Sequence, residues 1–231
     1  MVRNPHVKSA RVLKRSTIAD QVYEDIKERI LDQTLKPDER LIIEALSKDL
    51  GVSSSPIREA LARLESEKLV VSEFYTGYSV APTPNPDYLR DLLDFRILLE
   101  GECARIGAPR KDAVVLSAMT AALEKMSRTK RLGTRYREYD SFIAEDRKFH
   151  QAIVESSNNL AMIAVYADLN AILHQSRLYI SRSTDGSPAE EVLAEHRKIL
   201  DAFSAGDAEA AAAAIRDHFE GGKRRLHSAT R

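Results

Sequence analysis

Four side chains in the C-terminal half of the 231-residue chain are of the types that bind transition metals. Asp146 and His150 are four residues apart, so on a helix their side chains project from one face, a turn apart. His196 and His218 follow further along, each beside apolar residues at helical spacing. Helices that bring single imidazoles to a helix carrying an aspartate and a histidine can form a four-ligand site. The spacing therefore predicts a metal site, here called the His–Asp cluster, formed by Asp146, His150, His196 and His218.

Spacing alone leaves other interpretations of the His–Asp cluster open. A single histidine on an inward helical face is more often a core or surface residue with a satisfied ring than a metal ligand. The same residue types also occur in catalytic metal centres, and a metal that only stabilises a bundle would need the same ligands. The chain has no HExxH motif, nucleophile elbow or phosphate-binding loop, so we predict that it is not an enzyme.

The stretch from Gly51 to Leu64 has the pattern of a tight turn followed by a short amphipathic helix. Gly51 supplies the positive-φ residue that ends a preceding helix. Ser54 or Ser55 can cap the next helix, and Pro56 fits its first position. One face is apolar, with Ile57, Ala60, Leu61 and Leu64 at helical spacing. Such a helix, with hydroxyls and a guanidinium in its first turn, has the geometry that reads a DNA major groove.

The neighbouring segments predict a winged helix-turn-helix around this recognition helix. Residues 17–33 and 43–50 have helical periodicity, and a tight turn leads from the second helix into the recognition helix. Two β-prone runs, 69–72 and 78–81, flank a glycine-containing loop and predict a hairpin, the wing. The predicted DNA contacts come from the first turn of the recognition helix and the tip of the wing, and they are Ser53, Ser54, Ser55, Pro56, Arg58, Thr76, Gly77 and Tyr78.

Three prolines between residues 82 and 86 mark a boundary between two domains, because they interrupt both helices and strands. Residues 82–86 are therefore a predicted proline-rich, semi-rigid linker. Residues 1–81 form the predicted winged helix-turn-helix domain, and residues 87–231 form an all-helical domain. The predicted fold class is mainly α, in which the second domain is a six-helix antiparallel bundle.

Composition narrows the function classes only moderately. The 35 basic and 35 acidic side chains balance, so the chain lacks the overall positive charge that many nucleic-acid binders show. Residues 1–15 are locally basic without an acid, and they either lie along phosphates or form a solvated tail. Cys103 is the single cysteine, which fits a reducing compartment. With neither an apolar run of membrane-spanning length nor a secretory signal, the predicted location is cytoplasmic and no membrane partner is expected.

Two sets of motifs resemble one family of bacterial regulators. The segments Leu50-Gly51-Val52-Ser53, Pro56-Ile57-Arg58-Glu59-Ala60-Leu61 and Gly77-Tyr78-Ser79-Val80 resemble the GntR family of transcription regulators. The segments Arg96-Ile97-Leu98-Leu99-Glu100, Asp146 to His150 and Glu195-His196, together with His218, resemble the FCD ligand-binding domain of its FadR-like subfamily. Six helices in the second domain are more similar to the VanR-type branch than to the seven-helix FadR-type branch.

The resemblance implies a homodimer that binds a pseudo-palindromic operator in double-stranded DNA. Its affinity for the operator would change when a small-molecule effector enters residues 87–231, which would be the effector-binding and dimerisation domain. The expected effector is an organic acid or a related metabolite, and the expected action is repression released by the effector.

The resemblance also implies a metal at the floor of the effector cavity, because the ligands of metal-containing members match the His–Asp cluster. Three imidazoles and one carboxylate favour borderline transition metals over calcium or magnesium. Zinc is the predicted ion, and nickel and manganese are chemically acceptable alternatives.

Two groups of polar side chains are candidates for binding the effector. Arg96 lies in an otherwise apolar helical stretch, where it can bind an effector carboxylate through two hydrogen bonds or form an internal salt bridge with Glu100 or another acid. Asn170, His174 and Arg177 form a polar stripe at helical spacing, which lines a pocket or faces solvent.

Overall fold

The helices and strands are defined here by a computed structural model, which describes residues 16–73, 77–129, 135–169, 172–173 and 189–229. The first domain contains α1 (Ile18–Leu31), β1 (Arg40–Leu41), α2 (Ile43–Leu50), α3 (Ser54–Ser66), β2 (Val70–Glu73) and β3 (Gly77–Val80). The second contains α4 (Pro86–Gly107), α5 (Ala113–Met126), α6 (Tyr136–Ser156), α7 (Leu160–Asp168), α8 (Ala189–Ala205) and α9 (Ala208–Ala229). The predicted, mainly α fold class is confirmed.

The predicted left-handed turn at Gly51 is present, but the recognition helix α3 begins two residues earlier than predicted. Gly51 ends α2 with a φ of +66°, in the left-handed region. The helix begins at Ser54, so Ser53 is the N-cap residue, and its side chain makes no capping hydrogen bond. Pro56 is therefore the third helical residue rather than the first. A proline is tolerated there because the first four amides of a helix have no partner within the helix.

The three strands form one antiparallel sheet in the order β1-β3-β2. The hairpin of β2 and β3 is the predicted wing, in which Val71 pairs with Ser79. β1 joins the other edge of β3, and Leu41 pairs with Tyr78. This second pairing joins residues far apart in sequence, so local propensity could not predict it.

The second domain buries an apolar core to which α4, α5, α6, α8 and α9 contribute. α4 packs against α6 and α9, and α8 packs against α9. Gly107 permits the close approach of α4 to α6, because a Cβ there would lie 1.8 Å from the Ser156 Oγ atom. Large side chains buried almost completely in this core include Tyr139, Phe149, Phe203 and Phe219. These packed helices supply all the residues of the His–Asp cluster.

The segment between the domains is short. Residues 81–85 are not helical, and Asn85 caps α4 by accepting a hydrogen bond from the Asp87 amide at 2.8 Å. Pro86 is the first residue of α4, a position where its fixed φ is suited to a helix. In the part of the chain that the structure describes, no helix is both long enough and apolar enough to cross a membrane.

We expect Gly51→Ala to lower the free energy of unfolding by about 1 kcal/mol, since alanine is strained in the left-handed region. No heavy atom lies within 4 Å of a Cβ built on Gly51, so the loss would report backbone strain alone. Gly101→Ala is the matched control, because a Cβ there also meets nothing within 4 Å while the backbone is helical. We expect it to raise the free energy of unfolding by about 0.5–1 kcal/mol. Urea unfolding measures both changes, and a stabilising Gly51→Ala would contradict the left-handed turn.

Candidate metal centre and DNA-reading surface

The structure brings together all four residues of the His–Asp cluster. α6 supplies Asp146 and His150, α8 supplies His196, and α9 supplies His218. One potential ligand atom from each residue lies within 4.8 Å of the others, and all four residues are buried. The arrangement therefore has the residue types, the convergence and the burial of a metal centre.

The imidazole rings pack closely around the Asp146 carboxylate. The Oδ1 atom of Asp146 lies 3.1 Å from Nε2 of His196 and 3.5 Å from Nε2 of His150. The His218 ring centroid is 4.5 Å from that of His196 and 5.1 Å from that of His150. Phe149 contributes an edge-on ring contact with His196 at 4.8 Å. Apolar rings therefore flank the cluster.

Each imidazole is held through its Nδ1 atom by a different group. Nδ1 of His150 lies 2.6 Å from Glu100 Oε2, and Nδ1 of His196 lies 2.8 Å from the Val192 carbonyl oxygen. Nδ1 of His218 lies 2.8 Å from an oxygen of Glu195. A neutral ring that donates from Nδ1 keeps a lone pair on Nε2, which is the form that binds metals.

The Nε2 atoms provide the test of whether these residues fit a metal. Nε2 of His150 and Nε2 of His196 are both buried without a hydrogen-bond partner among the described residues. Two such lone pairs beside the carboxylate of Asp146 are unfavourable in an apolar core, where buried polar atoms normally have partners. A divalent cation would satisfy the nitrogens and the carboxylate together. The residues present therefore fit a transition metal.

The protonation of His218 and Glu195 also suits ligand binding. Burial, reinforced by the nearby His196, lowers the pKa of His218 to about 3, so its ring is neutral at neutral pH. Burial raises the pKa of Glu195, but hydrogen bonds from His218 and Arg225 outweigh it and bring the value to about 2. Glu195 is therefore an anion that accepts a hydrogen bond from the Nδ1–H of His218.

Two acid–arginine pairs stand behind the histidines, and the sequence analysis did not assign them this role. The Arg96 Nε atom donates to Glu100 Oε1 at 2.7 Å, while Glu100 also holds His150. Arg225 donates from Nη1 and Nη2 to the two oxygens of Glu195 at 2.8 and 2.9 Å. The sequence signal for Glu195 was its position next to His196. Its arginine partner, Arg225, lies on another helix and could not be predicted from spacing.

Arg96 forms an internal salt bridge with Glu100, which was one of the two alternatives predicted from the sequence. One nitrogen of its guanidinium nevertheless has no hydrogen-bond partner among the described residues. The guanidinium lies over the Phe219 ring at 4.2 Å. Its Nη2 atom is buried and has no hydrogen-bond partner in the described part of the chain. Asn170, His174 and Arg177, the other predicted effector residues, lie outside the described residues.

The predicted DNA contacts on α3 form an exposed surface. Ser53, Ser54, Ser55 and Arg58 are exposed, whereas Pro56 is half-buried. The opposite face of α3 is anchored by Ile57, Ala60, Leu61 and Leu64, which are fully buried.

The wing residues and two further arginines, Arg40 and Arg63, differ in their exposure and in their partners. Gly77 is exposed and Tyr78 is half-buried, and Thr76 lies outside the described residues. Arg63 is not available as a second DNA-reading arginine in this arrangement. It donates to Asp20 at 2.8 Å, and its guanidinium lies over the Tyr23 ring. Arg40 is exposed at the start of β1 and pairs with Ser79 of the wing, a placement that the sequence analysis missed.

Comparisons with known proteins cover both halves of the chain. The model of bacterial regulatory proteins of the gntR family matches residues 18–80, and the FCD domain model matches residues 91–221. An uncharacterized HTH-type transcriptional regulator, YdhC of Bacillus subtilis, is 31% identical over 199 residues, which cover 86% of each chain. A probable D-xylose utilization operon transcriptional repressor of Paenarthrobacter nicotinovorans is 26% identical over 206 residues, which cover 89% of this chain and 87% of that protein.

A solved structure agrees with these matches at the level of the fold. A GntR transcriptional regulator from Rhodococcus sp. RHA1 superposes with a TM-score of 0.66 at 23% identity, covering 92% of this chain and 99% of that one. The prediction that the chain is a regulator and not an enzyme is confirmed, while the assignment to the VanR-type branch stays a prediction. The chain belongs to the GntR family of bacterial transcription regulators and carries an FCD domain in its C-terminal half.

Proposed function

We propose that the chain is a cytoplasmic repressor that binds an operator as a homodimer and releases it when a small organic acid enters the second domain. The observation that carries the proposal is the His–Asp cluster, whose buried Nε2 atoms have no hydrogen-bond partner among the described residues. The same chain presents the exposed first turn of α3. Sensor and reader would then be two parts of one protein, and the D-xylose repressor among its relatives supports repression.

The His–Asp cluster would hold the metal. Zinc is the proposed ion, with nickel and manganese as alternatives, because imidazole-rich sites suit borderline metals. When bound, the metal would act as a Lewis acid that attracts an anionic oxygen. Glu100, Glu195 and the Val192 carbonyl would orient the imidazoles, since each contacts one Nδ1 atom.

The unpaired nitrogen of Arg96 supports a carboxylate as the effector group. Arg96 is 3% exposed, and a buried donor without a partner is unfavourable until an acceptor arrives. Glu100 links it to His150, so the guanidinium lies next to the cluster. A carboxylate near the metal would also suit this guanidinium. Asn170, His174 and Arg177 are proposed to line the same pocket.

The DNA side of the proposal rests on the exposed hydroxyls and guanidinium of α3. Ser53, Ser54, Ser55, Pro56 and Arg58 would enter the major groove, while Thr76, Gly77 and Tyr78 of the wing would contact the backbone beside it. In a two-fold symmetric dimer, the two copies of α3 would read half-sites about one helical turn, or ~34–36 Å, apart.

In a second candidate function, the His–Asp cluster binds a metal that only stabilises the bundle and takes no part in sensing an effector. Four buried protein ligands are typical of structural sites, which need no open position. A structural metal would change stability when removed but would leave the response of DNA binding to small carboxylates unchanged.

We expect His150→Ala to lose the metal, because a four-ligand site that loses one imidazole binds far more weakly. Elemental analysis of purified protein gives the metal content per chain and identifies the ion. Gln151→Ala is the control, since Gln151 is the exposed neighbour of His150 on α6 and is not one of the four proposed ligands. Full metal content in the His150 variant would refute the proposed ligand set.

We expect Arg58→Ala to weaken binding to a duplex selected from random DNA by about 5–150-fold, since one base-contacting arginine contributes about 1–3 kcal/mol. Binding to unselected DNA should fall much less, because it depends on total charge. Arg90→Ala removes the same charge from an exposed arginine of α4 and is the control. Equal losses on selected and unselected DNA would argue against groove reading by Arg58.

We expect a stabilising carboxylate, found by thermal-shift screening with and without chelator, to change operator affinity by about 5–150-fold. Arg96→Lys should weaken this response while metal content is retained, because lysine keeps the charge but loses the planar fork of donors. A metal-binding protein whose operator affinity responds to no stabilising carboxylate would fit the structural-metal alternative instead.

A further inference from the structure

The start of α6 is capped by a residue of the other domain. The amide of Tyr136, the first residue of α6, donates to the Asp32 carboxylate at 2.8 Å. Asp32 is the C-cap residue of α1, in the winged helix-turn-helix domain. A carboxylate at a helix N-terminus satisfies an amide that has no partner within the helix, and it interacts favourably with the helix dipole. This hydrogen bond therefore joins the end of α1 to the start of α6.

An ion pair and a buried ring surround this capping bond. Arg137 approaches one oxygen of Glu28 with its Nε atom at 2.7 Å and its Nη2 atom at 2.6 Å. Tyr136 is 7% exposed, and its ring lies 5.7 Å from the Lys27 ammonium. Cap, ion pair and ring together form what we call the α1–α6 contact, consisting of Lys27, Glu28, Asp32, Tyr136 and Arg137.

The α1–α6 contact leads directly to the recognition helix. Lys27 is 5% exposed and donates to Glu67 at 2.7 Å and to the Tyr23 hydroxyl at 2.8 Å. Glu67 is the C-cap residue of α3, and the Tyr23 hydroxyl donates to it as well. Arg63 of α3 rests on the ring of Tyr23. Lys27 is thus bonded to the end of α3 on one side and lies against α6 on the other.

The same helix reaches the His–Asp cluster. Asp146 and His150 follow Tyr136 by 10 and 14 residues on α6, so they lie about 15 and 21 Å along one continuous helix. A regular helix transmits displacement over such a length because its backbone hydrogen bonds resist bending. Two of the four residues that would hold the metal, and the α6 residues that contact α1, are therefore parts of one continuous helix.

We propose that the α1–α6 contact fixes the orientation of the winged helix-turn-helix domain on the bundle and carries the state of the His–Asp cluster to α3. Within the described residues, the domains are then connected both by the segment 81–85 and by this contact. A covalent segment alone would leave the orientation of α3 free, whereas two connections define it. The transmission step rests on the proposed metal binding, but the orienting role does not.

Hydrogen exchange of the full-length protein without DNA tests the proposal. The test variant carries Asp32→Ala and Arg137→Ala, which remove the cap and the ion pair while keeping Tyr136. The control carries Asp112→Ala and Arg90→Ala. Asp112 caps α5 from the residue just before it, and Arg90 pairs with Asp87 on the same helix, so neither residue joins the domains. The two double variants lose the same kinds of group.

In the metal-free proteins, amides of α1 should exchange about fivefold or more faster in the test variant than in the control, as expected for losing roughly 1 kcal/mol of local stability. Equal exchange would refute the orienting role of the contact. Addition of zinc to the unmodified protein and to the control should slow exchange in α6, in α1 and at the end of α3. In the test variant, zinc should slow exchange in α6 only.

Two results with zinc would refute the proposal that the α1–α6 contact carries the state of the His–Asp cluster to α3. Zinc that binds the unmodified protein without affecting α1 and α3 would refute it, and so would unchanged zinc protection of α1 and α3 in the test variant. Zinc that does not bind at all would refute the proposed metal centre and with it the transmission. The metal-free comparison would then still decide the orienting role by itself.

Discussion

Burying imidazole nitrogens and a carboxylate in an apolar bundle is unfavourable in free energy unless each has a polar partner, and the helices of the second domain are arranged to supply those partners. Each Nδ1 atom of the His–Asp cluster has a polar partner, and two of those partners are acids held in turn by arginines, Arg96 and Arg225. Removing any of these groups would leave a neighbour buried and unpaired. Once the three Nδ1 atoms are satisfied, the chemistry left to the cluster is that of its Nε2 lone pairs and the Asp146 carboxylate.

This requirement explains why four helices, and not one motif, build the site. α4 supplies Glu100, α6 supplies Asp146 and His150, and α8 and α9 supply the remaining imidazoles. Tight packing, for example at Gly107, keeps these helices close enough for the charged pairs between them to form. The same α6 touches the DNA-reading domain at its other end, so the packing of the core and the placement of α3 depend on one helix.

Local patterns predicted much of the fold correctly. Apolar spacing indicated the inward face of α3, and Gly51 indicated the turn before it, because periodicity and positive φ are properties of neighbouring residues. The same reasoning placed Pro56 at the first position of α3, whereas it is the third, since several serines in a row offer more than one cap. The pairing of β1 with β3 and the partner of Arg63 depend on contacts between distant segments and were not predicted.

The sequence by itself determined the residue types available, the two-domain organisation and the family, because these depend on local spacing and on resemblance. It also placed Asp146 and His150 on one helical face, since a spacing of four fixes that relation. Only the tertiary structure decided that His196 and His218 meet them, that Glu100 contacts His150, and that Asp32 caps α6. These are contacts between helices, and helical periodicity carries no information on which faces of different helices meet.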